Sequence, residues 1–99
     1  MTEQEQLEQL KKSGRLIKHI EHPTETMQWA AVKSEPHSIK FIKEPTESVQ
    51  MLAVCMNPWN LRYINNPTDY VIQEAARREP AVLMYIPEEK IPLTARLLL

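Results

Sequence analysis

The stretch 23–88 reads PTETMQWAAVKSEPHSIKFIKE, PTESVQMLAVCMNPWNLRYINN and PTDYVIQEAARREPAVLMYIPE, three consecutive blocks opening at Pro23, Pro45 and Pro67. Each block is 22 residues long, and a second proline recurs at the same interval, at Pro36, Pro58 and Pro80. A fixed interval of this size is the signature of stacked structural repeats. Other columns agree with it: Ala31, Ala53 and Ala75 align, as do Ile39, Leu61 and Leu83, and the aromatic residues Phe41, Tyr63 and Tyr85. Ile20, Ile42, Ile64 and Ile86 form a column of four that carries the pattern back into residues 1–22. There Gly14 replaces the second proline, and Leu10, Ile17 and His19 stand in the places of Val32, Ile39 and Phe41.

The two prolines punctuate helices. Pro23, Pro45 and Pro67 suit the first position of a helix, where a missing N–H costs nothing, and Glu25, Glu47 and Asp69 then fall in the positive first turn. Asn66 is expected to cap directly, with Asp69 three positions on, whereas His22 and Glu44 are poorer caps and Thr24 or Thr46 can move the boundary by a residue or two. Met27, Ala31 and Ser34 follow helical spacing, as do Val49, Leu52, Ala53 and Met56, then Val71, Ile72, Ala75 and Ala76. The second proline removes a donor and restricts its predecessor, so the first helix stops and another begins. The unit is therefore a helix of roughly 11 or 12 residues, a turn and a short helix of about seven. Ile39 with Ile42, Leu61 with Ile64 and Leu83 with Ile86 form its inner side, and Phe41, Tyr63 and Tyr85 are expected to finish the packing. A β-rich fold is disfavoured, because repeated alternation and glycine-containing hairpins are absent.

Helices this short cannot bury an apolar face alone, so successive units must stack. The expected fold is all-α, a right-handed or superhelical stack of helix-turn-helix repeats in one domain. Residues 1–22 form a divergent N-terminal cap, 23–44, 45–66 and 67–88 the repeats, and 89–99 a partial unit in which Leu93 aligns with Met27 and Leu97 with Ala31.

The recurring AV or AA pair followed by a break, an apolar position and an aromatic appears as AAVKSEPHSIKFI, LAVCMNPWNLRYI and EAARREPAVLMYI. It resembles a family of short two-helix repeats of unknown function found in bacterial, viral and amoebal proteins. Units of that family often carry Asn-Gly at the break, where this chain has Glu35-Pro36, Asn57-Pro58 and Glu79-Pro80. The resemblance implies a helical array and supplies no catalytic residue.

The chain of 99 residues has twelve Lys+Arg against thirteen Asp+Glu, a formal charge of -1, so its overall balance does not argue for nucleic acid or an anionic membrane. One glycine disfavours a glycine-cradled phosphate site, and Cys55 alone cannot form an intrachain disulfide, so a reducing compartment is expected. The opening MTEQEQLEQLKKSG lacks the apolar core of a secretory signal, and no run reaches the roughly 20 apolar residues of a membrane span. A cytoplasmic location, bacterial or in a host cell, follows as the expectation.

Neither metal, cofactor nor catalysis is expected. His19, His22 and His37 lack the additional ligands of a metal site, and His19 is expected to be an interior or interface imidazole. Glu25, Glu47 and Asp69 recur with the scaffold and have a structural role at helix starts, while Cys55 aligns with Lys33 and Arg77 and has no activating motif. Two basic columns remain, Lys18, Lys40 and Arg62 in one, Lys11, Lys33 and Arg77 in the other. The preferred reading of them is a solvated face neutralised by Glu21, Glu35, Glu44 and Glu79, ahead of a surface for an acidic partner. Trp59, beside a restarting proline, is the candidate exposed anchor, because tryptophan is enriched at interface hot spots, with packing between repeats as the alternative for so large a hydrophobe.

The leading functional class is a small protein-binding or inhibitory module, consistent with a phage-encoded protein acting on a host protein, with Trp59, Arg62, Lys40 and Lys18 as contact residues. Nucleic acid is disfavoured because the aromatic residues are assigned to packing. The alternative is a homo-oligomeric assembly protein that associates through Leu97, Leu98 and Leu99.

Overall fold

A computed structural model describes residues 2–98 of the chain. Its repeating unit is a ten-residue α-helix followed by a six-residue 3-10 helix. The α-helices are α1 (Glu3–Lys12), α2 (Glu25–Ser34), α3 (Glu47–Met56) and α4 (Asp69–Arg78). The 3-10 segments are Gly14–His19, Pro36–Phe41, Pro58–Tyr63 and Pro80–Tyr85. A single 3-10 turn, Glu88–Lys90, and the four-residue α5 (Leu93–Arg96) follow.

Local chemistry sets the boundaries. The hydroxyls of Thr24, Thr46 and Thr68 accept from the N–H groups of Met27, Val49 and Val71 at 3.2, 3.3 and 3.3 Å. These threonines are therefore the N-caps, and each is worth about 1 kcal/mol. Pro23, Pro45 and Pro67 precede the cap instead of occupying the first helical position. Asn66 does not cap either; it takes φ 53°, left-handed backbone that asparagine tolerates better than most residues. Thr2 and Glu5 form a reciprocal capping box on α1. Glu35, Asn57 and Glu79 end α2 to α4 in extended backbone, the conformation a following proline requires. Pro36, Pro58 and Pro80 then open the 3-10 segments.

Each α-helix touches the helix before and after it, and α2, α3 and α4 also rest on the 3-10 segment of the preceding unit. Contacts run between neighbouring units, and the molecule is drawn out to 47 × 20 × 17 Å. The buried columns are Met27, Val49 and Val71; Ala31, Ala53 and Ala75; Leu10, Val32, Val54 and Ala76; and Ile17, Ile39, Leu61 and Leu83. Alanine lets adjacent helices approach, while each fully buried branched aliphatic side chain contributes about 1.5–3 kcal/mol. Ser34 and Met56 lie outside this core, Met56 being exposed.

Four polar residues are also buried, Gln28, Ser38, Gln50 and Asn60, and the two glutamines link units. Buried Gln28 donates through Nε2 to the Pro23 carbonyl at 3.2 Å and accepts from the Thr46 N–H at 3.1 Å. Gln50 repeats the arrangement one unit later, donating to the Pro45 carbonyl at 2.9 Å and accepting from the Thr68 N–H at 3.0 Å. Each glutamine thus ties its own first proline to the capping threonine of the next unit. Ile72 occupies the corresponding place in α4, where the series stops.

The tail departs from the expected register. Leu93 and Leu97, aligned with buried columns, are 74% and 79% exposed, and Ala95 is the buried residue of α5. The Thr94 hydroxyl donates to Gln73 Oε1 at 3.0 Å, which holds α5 against α4 in this altered register.

Gly14 sits at a close approach between units, since a Cβ there would overlap the Ala31 carbonyl oxygen and crowd Ser38 Oγ. Gly14→Ala should therefore destabilise the fold by about 1–3 kcal/mol or more. Gln50→Ile, which strands the Thr68 N–H and the Pro45 carbonyl, should cost on the order of 1–3 kcal/mol. Urea unfolding followed by circular dichroism measures both losses.

Candidate functional site

Three residues per turn shape the outer side of the 3-10 segments. With Ile39 and Ile42, or Leu61 and Ile64, turned inward, the intervening cation and aromatic residue reach the surface. The aromatic column accordingly does not finish the core. Phe41 and Tyr85 are exposed and Tyr63 is half-buried, and His19, in the same column, is exposed and not interior.

Stacking brings this column together with Lys18, Lys40 and Arg62. Lys18 Nζ lies 5.7 Å from the centroid of the Phe41 ring, and Lys40 Nζ lies 5.2 Å from the same ring and 5.9 Å from that of Tyr63. The Arg62 guanidinium is 4.7 Å from the Tyr63 ring, and its Nη2 donates to Tyr63 Oη at 2.8 Å. The nearby hydroxyls of Tyr85 and Tyr63 raise the Arg62 pKa above its ordinary value. The result is a ladder in which cations alternate with rings, each cation–π contact worth about 0.5–1 kcal/mol at an exposed site.

Trp59 is half-buried beside this ladder, edge-to-face with Tyr85 at 6.1 Å and 84°. His37, its counterpart one unit earlier, meets Tyr63 in the same manner at 6.4 Å and 65°. Lys18, Lys40 and Arg62 are exposed. Sequence reasoning placed these cations and Trp59 together but missed the outward rings that join them.

Charge is segregated around the ladder. The four six-residue 3-10 segments contain Arg15, Lys18, Lys40 and Arg62 and no carboxylate. All thirteen acidic residues lie elsewhere, alongside the other eight cations. The 3-10 segments are therefore basic in themselves, while Glu21 and Glu44 line a groove with Lys18 and Phe41. Glu35 directly precedes one of these segments, accepting from the Ser13 hydroxyl at 3.2 Å and from the Arg15 N–H at 3.4 Å.

The remaining candidates stay apart. Glu25 accepts from the Ser48 hydroxyl at 2.8 Å, a link between adjacent helix starts. Among the described residues no group of three His, Cys, Asp or Glu side chains comes together as a metal site. Cys55 is exposed, and Arg78 donates to its carbonyl at 3.2 Å, satisfying the end of α3. An open groove of about 530 Å³ beside the tail has mixed lining charge from Arg62, Asp69, Glu89 and Lys90. At the C-terminal end Leu97 and Leu98 are exposed, and Leu99 lies outside the described residues. No described helix is long and apolar enough to cross a membrane.

Comparison with protein-family models, curated proteins and solved structures found no match to this chain.

At Glu35, partial desolvation pushes the pKa upward but is outweighed by the Arg15 N–H, the Ser13 hydroxyl and the positive charges of Arg15 and His37, leaving it below 4.5. A carboxylate with a lowered folded-state pKa stabilises the fold above its unfolded pKa and loses that contribution as pH falls through the folded value. Glu35→Gln should therefore be less stable than the parent at neutral pH, and the difference should shrink as the pH drops below 4.5. Urea unfolding across that range measures the convergence.

Proposed function

We propose that this protein is a small protein-binding or inhibitory module whose contact surface is the outer side of its 3-10 segments. The observation that carries the reading is the ladder of Lys18, Phe41, Lys40, Tyr63 and Arg62, built from segments that hold cations and no carboxylate. Rings with polar or charged partners suit an interface, because they offer contact area at a low cost in side-chain entropy. Half-buried Trp59 supplies a rigid flank to this surface. A superhelical course of the stack would carry the ladder around the long axis, as expected if each unit turns slightly on its neighbour.

The test is capture of a stoichiometric partner from native extract by the tagged full chain, run in parallel with Arg62→Ala, Trp59→Ala and Glu47→Gln. Loss of the partner with the first two variants and retention with the third, all three keeping the parent's circular dichroism, is the expected result. Retention by all three would move the surface elsewhere.

A second reading is favoured by the exposure of Leu93, Leu97 and Leu98 at one end of the molecule. Self-association through this end would make the mass measured by sedimentation rise with concentration, and Leu97→Ser would abolish the rise. A constant monomer mass would exclude it.

A further inference from the structure

We infer that the groove where unit 45–66 meets unit 67–88 and the tail is a binding site for a peptide segment that presents an asparagine side chain, received by the backbone carbonyls of Arg62 and Ile64. The equivalent contact one unit earlier is made within the chain and shows the chemistry. There Asn65 Nδ2 donates to the Ile42 carbonyl at 2.9 Å and to the Lys40 carbonyl at 3.2 Å. In the same unit Gln50 Nε2 donates to the Pro45 carbonyl at 2.9 Å. Both donors are lost in the next unit, where Pro87 stands at the position of Asn65 and Ile72 at that of Gln50. Neither side chain has a hydrogen to donate.

The acceptors stay in place. Ile42 and Ile64 share an extended backbone, φ -96° and ψ 114° against φ -86° and ψ 124°, so the carbonyls of Arg62 and Ile64 are presented as those of Lys40 and Ile42 are. Thr46 and Thr68 agree as closely, φ -67° and ψ 156° against φ -73° and ψ 160°, and the Pro67 carbonyl repeats the setting of Pro45. No described residue donates to the carbonyls of Arg62, Ile64 or Pro67. All three residues line the open groove of about 530 Å³, a size that suits a small ligand. Leu61, Ile72 and Ile91 give it apolar lining, and its charges are balanced, Arg62 and Lys90 against Asp69 and Glu89. A neutral donor fits this setting. A primary amide carries two N–H bonds and bridges two carbonyls, whereas a carboxylate brings only acceptors to them. The corresponding groove beside Lys18 and Ile20 is less suited, because Gln28 already serves the Pro23 carbonyl and Lys43 puts a charge at the position of Asn65. Only the carbonyl of Arg62 is used, so the site stands apart from the contact of its guanidinium with Tyr63.

The test measures fluorescence anisotropy of a labelled Ile-Asn-Asn-Pro-Thr peptide, the sequence of residues 64–68, with the full chain. In three further peptides the first asparagine is replaced by aspartate, leucine or lysine. The asparagine peptide should bind about tenfold or more tighter than the aspartate and leucine peptides, and with little dependence on salt. Pro87→Asn supplies the carboxamide from the chain itself, and Ile72→Gln restores the donor to the Pro67 carbonyl. Each should weaken binding of the asparagine peptide about fivefold or more while keeping the parent's circular dichroism, and Lys43→Asn, the same change in the earlier groove, should leave it unchanged. Equal binding of the asparagine and leucine peptides would overturn recognition by the carbonyls. Preference for aspartate or lysine would overturn the ligand class in favour of a charged side chain. Binding undiminished in both Pro87→Asn and Ile72→Gln, or lost in Lys43→Asn, would overturn the location, and failure of all four peptides with the parent would overturn the site itself.

Discussion

A helix of ten residues is marginal in water, and each α-helix of the repeating unit is of that length, so the structure depends on contact between one unit and the next. Ala31, Ala53 and Ala75 bring the helices close, and the aliphatic columns beside them supply the apolar area. The same dependence explains the elongated shape, since contacts join consecutive units. Stability in such an array is a sum of weak units and strong interfaces, and damage at one interface is felt by both units that share it.

Polar groups are arranged under the same constraint. Gln28 and Gln50 are buried, yet their amides are satisfied by one carbonyl of their own unit and one N–H of the next. Asn65 makes a related bridge near the surface, donating to the Ile42 carbonyl at 2.9 Å. These bonds are directional where aliphatic packing is not, and they fix how far one unit can slide along another. On the outer side the same stacking interval aligns cations and rings from different units, so the ladder is a product of the register and not of any one repeat.

Much of this was legible in the chain. The interval of 22, the breaks at Pro36, Pro58 and Pro80 and the Ala and Ile columns identify an all-α repeat architecture, because they reflect steric demands that recur at each interface. Gln28 and Gln50 escaped notice because glutamine in a helix is ordinarily solvated, and only the threonine arriving from the next unit reveals its role. Hydrophobicity alone places Phe41, Tyr63 and Tyr85 in the packing. Three residues per turn, together with inward Ile39 and Ile42, instead leave the aromatic position at the surface. Leu93 and Leu97 followed the alignment, but the segment Pro87–Pro92 contains its own 3-10 turn and shifts the register of α5. At the proposed contact surface, the cations and Trp59 could be named from their columns; their connection through outward rings required the stacked geometry.

The 22-residue register places Lys40 between rings contributed by two different units. The proton chemical shifts of the Lys40 side-chain methylenes test it directly, because a methylene held near an aromatic face is displaced from its unstructured value. Upfield-shifted resonances should relax toward ordinary lysine values partly in Phe41→Leu and partly in Tyr63→Leu, since both rings contribute. Unshifted Lys40 methylenes in the folded parent, or shifts that respond to neither substitution, would contradict it.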